Sequence, residues 1–174
     1  MKKRKLIYFS GIVIMLLLAI YLNGGLTKVE YPDDFNFTYT FGANGKESID
    51  TYKNILTYDS IDGLLELEFK LSKEEKNRIY LKMVVNAFMS SPNSFPIVSI
   101  WTIDPIGRST LKSEFSGSEN HVSWSTYNID LTNLEDPTRG NRDLTAVQEI
   151  GALIEQIILE KTKSMNLPEK NLYL

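Results

Sequence analysis

From residue 35 onward, apolar and polar positions alternate in short runs that twice give way to a helical stripe. Phe35, Phe37, Tyr39 and Phe41 alternate with Asn36, Thr38 and Thr40, the two-residue period of a strand with one covered face. Asn44-Gly45 follows, the dipeptide of a tight hairpin turn. The return run over 46–58 carries Ile49, Thr51, Tyr52, Ile55 and Thr57 and predicts one strand with a bulge at Asn54. Asp62-Gly63 marks a second turn. Leu65, Leu67 and Phe69 then alternate with Glu66, Glu68 and Lys70 in a third strand.

Ser72 with Glu75 three residues on forms a capping box, which predicts a helix from there to about residue 89. Its stripe holds Ile79, Tyr80, Met83, Val84, Ala87 and Phe88 at spacings of three and four. A second set of strands follows. Residues 95–103 are apolar on both faces, with Ile97, Trp101 and Ile103 on one and Val98 and Ile100 on the other, as in a central strand. After a turn at 104–107, residues 108–115 alternate with Leu111 and Phe115 inward. A turn at 116–119 leads to a strand over 121–127 with Val122 and Trp124 on one face. Residues 130–142 read as a polar loop. A long helix over 143–164 presents Leu144, Val147, Ile150, Leu153, Ile154, Ile157 and Ile158, and Pro168 stops its continuation. The predicted order is βββα-βββα, an α+β domain whose antiparallel sheet carries its helices on one face.

Ahead of this domain the pattern is different. Lys2, Lys3, Arg4 and Lys5 form a positive block, and residues 6–22 then run for seventeen positions without a charge. Such a helix is about 26 Å long, near the lower limit for a bilayer. Tyr8 and Tyr21 stand near its two ends, where amphipathic rings favour the interface. Residues 1–5 are therefore expected to be a cytoplasmic stub and 6–22 a transmembrane signal anchor. Residues 23–34 are read as a linker, 35–168 as an extracytoplasmic domain and 169–174 as a tail. Cleavage would make the domain secreted, but Ile20, Tyr21, Leu22 and Asn23 lack the small residues a cleavage site requires.

Charge changes once that segment is set apart. The chain carries −3 overall and residues 1–22 carry +4, which leaves −7 on 23–174. A mildly acidic domain has no basic surface for nucleic acid, so none is expected as a partner. With 174 residues, 43% hydrophobic and 24% charged, the composition is that of a folded protein. There are no cysteines and one histidine. Disulfides, thiolate metal sites and thiol nucleophiles are excluded, as is any site built on two imidazoles.

The remaining candidate chemistries are thin. His121 has Ser123 and Ser125 on the same strand face, a set that a Ser-His-acid site would use. Alternation on an exposed face produces the same string, and the two serines lie about 7 and 14 Å along the strand. The 41–47 stretch contains Gly45-Lys46, but Glu47 stands where a phosphate loop needs Ser or Thr; it reads as a hairpin turn. Asp130, Asn133, Glu135 and Asp136, and separately Asp59, Ser60 and Asp62, are oxygen-rich runs without the spacing of a calcium loop; they read as solvated loops. Trp101, Trp124 and the 35–41 aromatics read as core before ligand face. No catalytic, cofactor-binding or metal-ligating residue is assigned, and no cofactor is expected.

The stretch FNFTYTFGANGKESIDTYKNILTYD, then LEFKLSKEEKNRIYLKM, then VSWS and a helix ending in NLPE resembles a family of small exported proteins of low-GC Gram-positive bacteria, with a single N-terminal span or a lipoprotein signal. The resemblance covers most of 35–170 and rests on aromatic, turn and helix-start residues. It implies the fold and the location, and no activity. The expected function is a membrane-anchored extracytoplasmic module, non-enzymatic, that binds an envelope protein or envelope component and holds the bilayer through 6–22. The alternative is a small envelope hydrolase using carboxylates or His121 with a serine. A further reading is a protective protein that blocks one specific partner.

Overall fold

The computed structural model describes residues 30–95, 107–125 and 137–171, with the side chains of the second helix from Arg142 onward. The predicted membrane span at 6–22, Trp101 and the acidic run 130–136 lie outside the described residues. Among the described residues no helix is long and apolar enough to cross a membrane.

The architecture is α+β, as the patterning predicts. Its strands are β1 (Asn36–Phe41), β2 (Glu47–Asp50), β3 (Ile55–Ser60), β4 (Gly63–Glu68), β5 (Arg108–Phe115) and β6 (Ser118–Ser125). Its helices are α1 (Lys73–Val85) and α2 (Pro137–Thr162). The strands form one sheet in the order β4-β3-β2-β1-β5-β6, and each neighbouring pair is antiparallel. A single in-register row crosses all of it: Leu67, Leu56, Ile49, Tyr39, Leu111 and Val122 stand opposite one another in turn. Both helices cover this face, and their buried residues join those of the strands in one core.

Among the described residues four strands, not the expected three, precede the first helix; most of the first strand of the second βββα set lies outside the described residues. The single strand expected over 46–58 is two strands, and Asn54 is no bulge. The Asp50 carboxylate accepts the amides of Tyr52 and Lys53 at 2.9 and 3.1 Å, a local bond that competes with the ladder. Asn54 adopts the left-handed conformation, φ 56°, which its short polar side chain tolerates. The chain therefore reverses at 51–54. The Asn44-Gly45 turn is as predicted: both residues have positive φ, and the Lys46 amide donates to the Ala43 carbonyl, the geometry that matches strand twist. Ser116 and Gly117 repeat it between β5 and β6.

The first helix starts where the sequence says. The Ser72 hydroxyl accepts the Glu75 amide at 3.2 Å, and the Glu75 carboxylate accepts the Ser72 amide at 2.6 Å. Ile79, Met83 and Phe88 are buried beneath it. The helix stops at Val85, earlier than expected, because Ala87 turns left-handed at φ 50°. That turn throws Phe88 into the core and leaves Val84 46% exposed, so Val84 is not part of the buried stripe. Tyr80 meets Phe35 and Phe115 edge-on, each at 5.3 Å between ring centroids. After the turn, residues 93–95 run beside β6 in parallel, with the Phe95 amide donating to the Ser123 carbonyl at 3.0 Å. The rest of the strand expected over 95–103 lies outside the described residues.

α2 begins inside the predicted loop. Pro137 opens it, a position where the missing N–H costs nothing. Leu144, Val147, Ile150, Ile154, Ile157 and Ile158 are buried, as the stripe predicts. Beyond α2 the residues expected as a tail are held as far as Asn171. The Ile61 amide donates to the Glu169 carbonyl and the Asn171 amide to the Asp59 carbonyl, both at 3.0 Å. This segment lies beside the end of β3, past the point where β2 begins.

Replacing Ser72 with Ala removes half of the capping box and should lower stability by about 1 kcal/mol. A shift of the urea midpoint at constant slope measures it, and an unchanged midpoint would show that the cap contributes nothing.

Candidate functional site

The inward face of the sheet opens toward α2 at the Phe41 end of β1. There, β1, the start of β2, β5 and β6 face α2 across a cavity of about 430 Å3. Tyr39, Phe41 and Trp124 form its apolar wall; Glu47, Glu155 and Lys170 are its charged groups. Strand parity explains the mixture. Tyr39 and Phe41 are inward on β1, and Glu47 faces Phe41 across the β1–β2 pair, so a carboxylate stands at an inward position. On α2, Gln148, Ala152 and Glu155 line the same opening, spaced by four and three residues.

The rings are stacked in series. Tyr39 lies over Phe41 at 5.2 Å with planes 9° apart and against Trp124 at 5.9 Å and 21°. The Tyr39 hydroxyl crosses to α2 and donates to Glu155 Oε1 at 2.6 Å, with Ser109 Oγ at 3.4 Å. Burial, followed by the charge and hydrogen bond of Glu155, pushes the Tyr39 phenol well up, so it stays a proton donor. Gly151 makes this reach attainable. A Cβ there would stand 2.6 Å from the Tyr39 hydroxyl oxygen and 3.0 Å from a Trp124 ring carbon.

Glu47 is the other anchor. Its side chain is 6% exposed, and Oε2 meets Lys170 Nζ at 2.8 Å. Desolvation raises the Glu47 carboxyl above its usual range, Lys170 pulls it back in part, and Asp59 and Glu155 nearby add to the rise. Gly42 stands close beside it. With φ 77°, its backbone is in the glycine region, and a Cβ would lie 2.7 Å from Glu47 Oε2. Lys170 is 48% exposed and comes from the segment that follows α2.

The residues singled out by sequence lie elsewhere or play other parts. His121 is exposed on the outer face of β6, with Nε2 3.5 Å from Ser123 Oγ and opposite Lys112. It does not share the cavity. Trp124 is buried in the core as expected, and it also lines the cavity. Asp59 and Ser60 are buried, not solvated. The Ser60 hydroxyl donates to the Gly63 carbonyl at 2.8 Å, which closes the β3–β4 turn. Among the described residues no three His, Cys, Asp or Glu side chains are grouped to hold a metal ion. Glu47 was legible in principle: counting back two from Ile49 puts it on the inward face. Glu155 lies four residues after Gly151, on the edge of the apolar stripe. Lys170 carries no sequence signal.

No protein-family model matches the chain, and no curated protein matches it.

Two outcomes follow from this geometry. Gly151→Ala should force Tyr39 and Trp124 apart from α2 and cost about 1–3 kcal/mol, the range for overpacking; denaturant unfolding reads it, and a neutral result would mean that the helix shifts freely. Glu47 binds its proton more tightly folded than unfolded. Its stabilising protonation is complete below the unfolded value near 4.5 and is lost as pH rises through the higher folded value. The stability of the protein relative to Glu47→Gln should therefore fall as pH rises above about 4.5 and through the raised folded value. Parallel pH curves for the two proteins would contradict the assignment.

Proposed function

We propose that this chain is an extracytoplasmic domain held at a membrane by residues 6–22, and that it binds a ligand without transforming it. The observation that carries the reading is the cavity between the sheet and α2. Its size falls in the range of small-ligand sites. Its polar groups are held in place before any ligand arrives: Tyr39 by Glu155, and Glu47 by Lys170. Preset groups on a rigid sheet lower the ordering cost of binding. The basic block and apolar run of residues 2–22 support the membrane location, and the resemblance of most of 35–170 to small exported proteins supports the same.

An envelope hydrolase is the second reading. Glu47, a carboxylate with raised proton affinity, shares a cleft with Glu155, a pairing that acid–base hydrolysis uses. Both carboxylates already hold partners, Lys170 and Tyr39, and this favours recognition over proton transfer.

Expression of the full chain with a C-terminal tag tests both readings. The anchor predicts that the chain stays in the membrane pellet after carbonate extraction and that protease added outside the cell removes the tag. Recovery of the tagged chain in the cytosol would overturn the location. Release of reducing sugar or peptide from purified envelope, abolished by Glu47→Gln, would overturn binding without turnover.

A further inference from the structure

We propose that the cavity takes a primary alkylammonium group, seated on Glu47 where the ammonium of Lys170 now lies. The inference rests on the reading of this cavity as a binding site, and it names the ligand class. Charge is the first argument. The cavity holds two carboxylates, Glu47 and Glu155, and one ammonium, Lys170. Glu47 is all but withdrawn from water, so its negative charge needs a compensating cation at short range. While Glu47 stays ionised, whatever displaces Lys170 must bring that charge with it; a neutral or anionic ligand would leave the carboxylate to take up a proton.

The second argument is the ease of exchange. The Lys170 side chain is 48% exposed and sits on a long flexible stem, so it reaches water by rotating outward. Its backbone need not move. That segment is held independently by the Ile61 and Asn171 amides and by the Tyr58 hydroxyl, which donates to the Pro168 carbonyl at 3.3 Å. Lys170 thus acts as a built-in occupant whose head group has the chemistry of the ligand.

The third argument is the wall. Tyr39, Phe41 and Trp124 stack on one another and border the cavity beside the two carboxylates. This apolar border packs against the methylenes of an alkylamine. The Glu155 carboxylate at the opening, steered by Tyr39, is placed for a second ammonium or for a second donor on the same head group. Free diamines and lysine side chains of peptides share this chemistry.

The test uses the full chain in detergent micelles and isothermal titration calorimetry. The probes are cadaverine for a free diamine and a blocked Gly-Lys-Gly peptide for a lysine side chain. Pentanediol is the neutral isostere and glutarate the anionic one. Wild type should bind at least one amine probe and neither isostere, and the tighter amine identifies the source. Lys170→Ala removes the internal competitor and should bind that amine about tenfold tighter, since the occupied fraction no longer reduces affinity. Glu47→Gln should bind it at least about tenfold more weakly. If Lys170→Ala is poorly folded, the amine should raise its unfolding temperature more than pentanediol does. Absence of amine binding to both wild type and Lys170→Ala overturns the proposal, as does unchanged affinity in Glu47→Gln. Binding of pentanediol or glutarate in place of the amines overturns the ligand class alone and leaves a binding cavity. Heat-silent titrations with every probe, together with envelope turnover, would remove the binding reading itself.

Discussion

Four large side chains on one face of one strand impose the main constraint on this fold. Phe35, Phe37, Tyr39 and Phe41 all point the same way from β1 or its entry, and all are buried. Aromatic rings of this size bury roughly 150–250 Å2 each, more than a single neighbouring strand can cover. β1 is an inner strand, with β2 on one side and β5 on the other. The two helices must lie over the same face. Tyr80 of α1 closes on Phe35, and α2 closes on Tyr39 and Trp124 through Gly151.

The cavity arises where this cover changes character. Toward Phe35 the stripe is sealed by other rings. Toward Phe41 the facing residues are Glu47 on β2, Gln148 and Glu155 on α2, and Lys170 beyond it. The core thus grades into a site along a single strand, and Tyr39 belongs to both. Its ring is in the row that crosses the six described strands, and its hydroxyl is bonded at the opening. Stability and the shape of the cavity are coupled there: a residue that tightens α2 against Tyr39 also reshapes the opening.

Local chemistry made much of this readable. Strand alternation, the Asn44-Gly45 turn and the Ser72–Glu75 box each act within a few residues, and each is found where the pattern puts it. The misread segments depend on competition between local signals. Asp50 and Asn54 turned one expected strand into two, and Ala87 ended α1 early despite ordinary helix formers. The site itself was hardest to read, because its members come from three distant stretches. Glu47 could be reached by strand parity, and Glu155 by its spacing from Gly151. Lys170 meets Glu47 only because the segment after α2 returns to β3, a contact that no local pattern encodes.

That return has a consequence for how the chain reaches its working state. Tyr58 and Pro168 are 110 residues apart, and synthesis proceeds from the N-terminus at roughly 5–20 residues per second. The β1–β4 segment therefore leaves the ribosome before the residues after α2. Until they emerge, Glu47 stands in a half-built sheet without its counter-charge, and protonation or water must satisfy it. In the order of synthesis, residues 168–171 are the last of these partners to appear. A chain interrupted just upstream of them would lack the ammonium that pairs with Glu47.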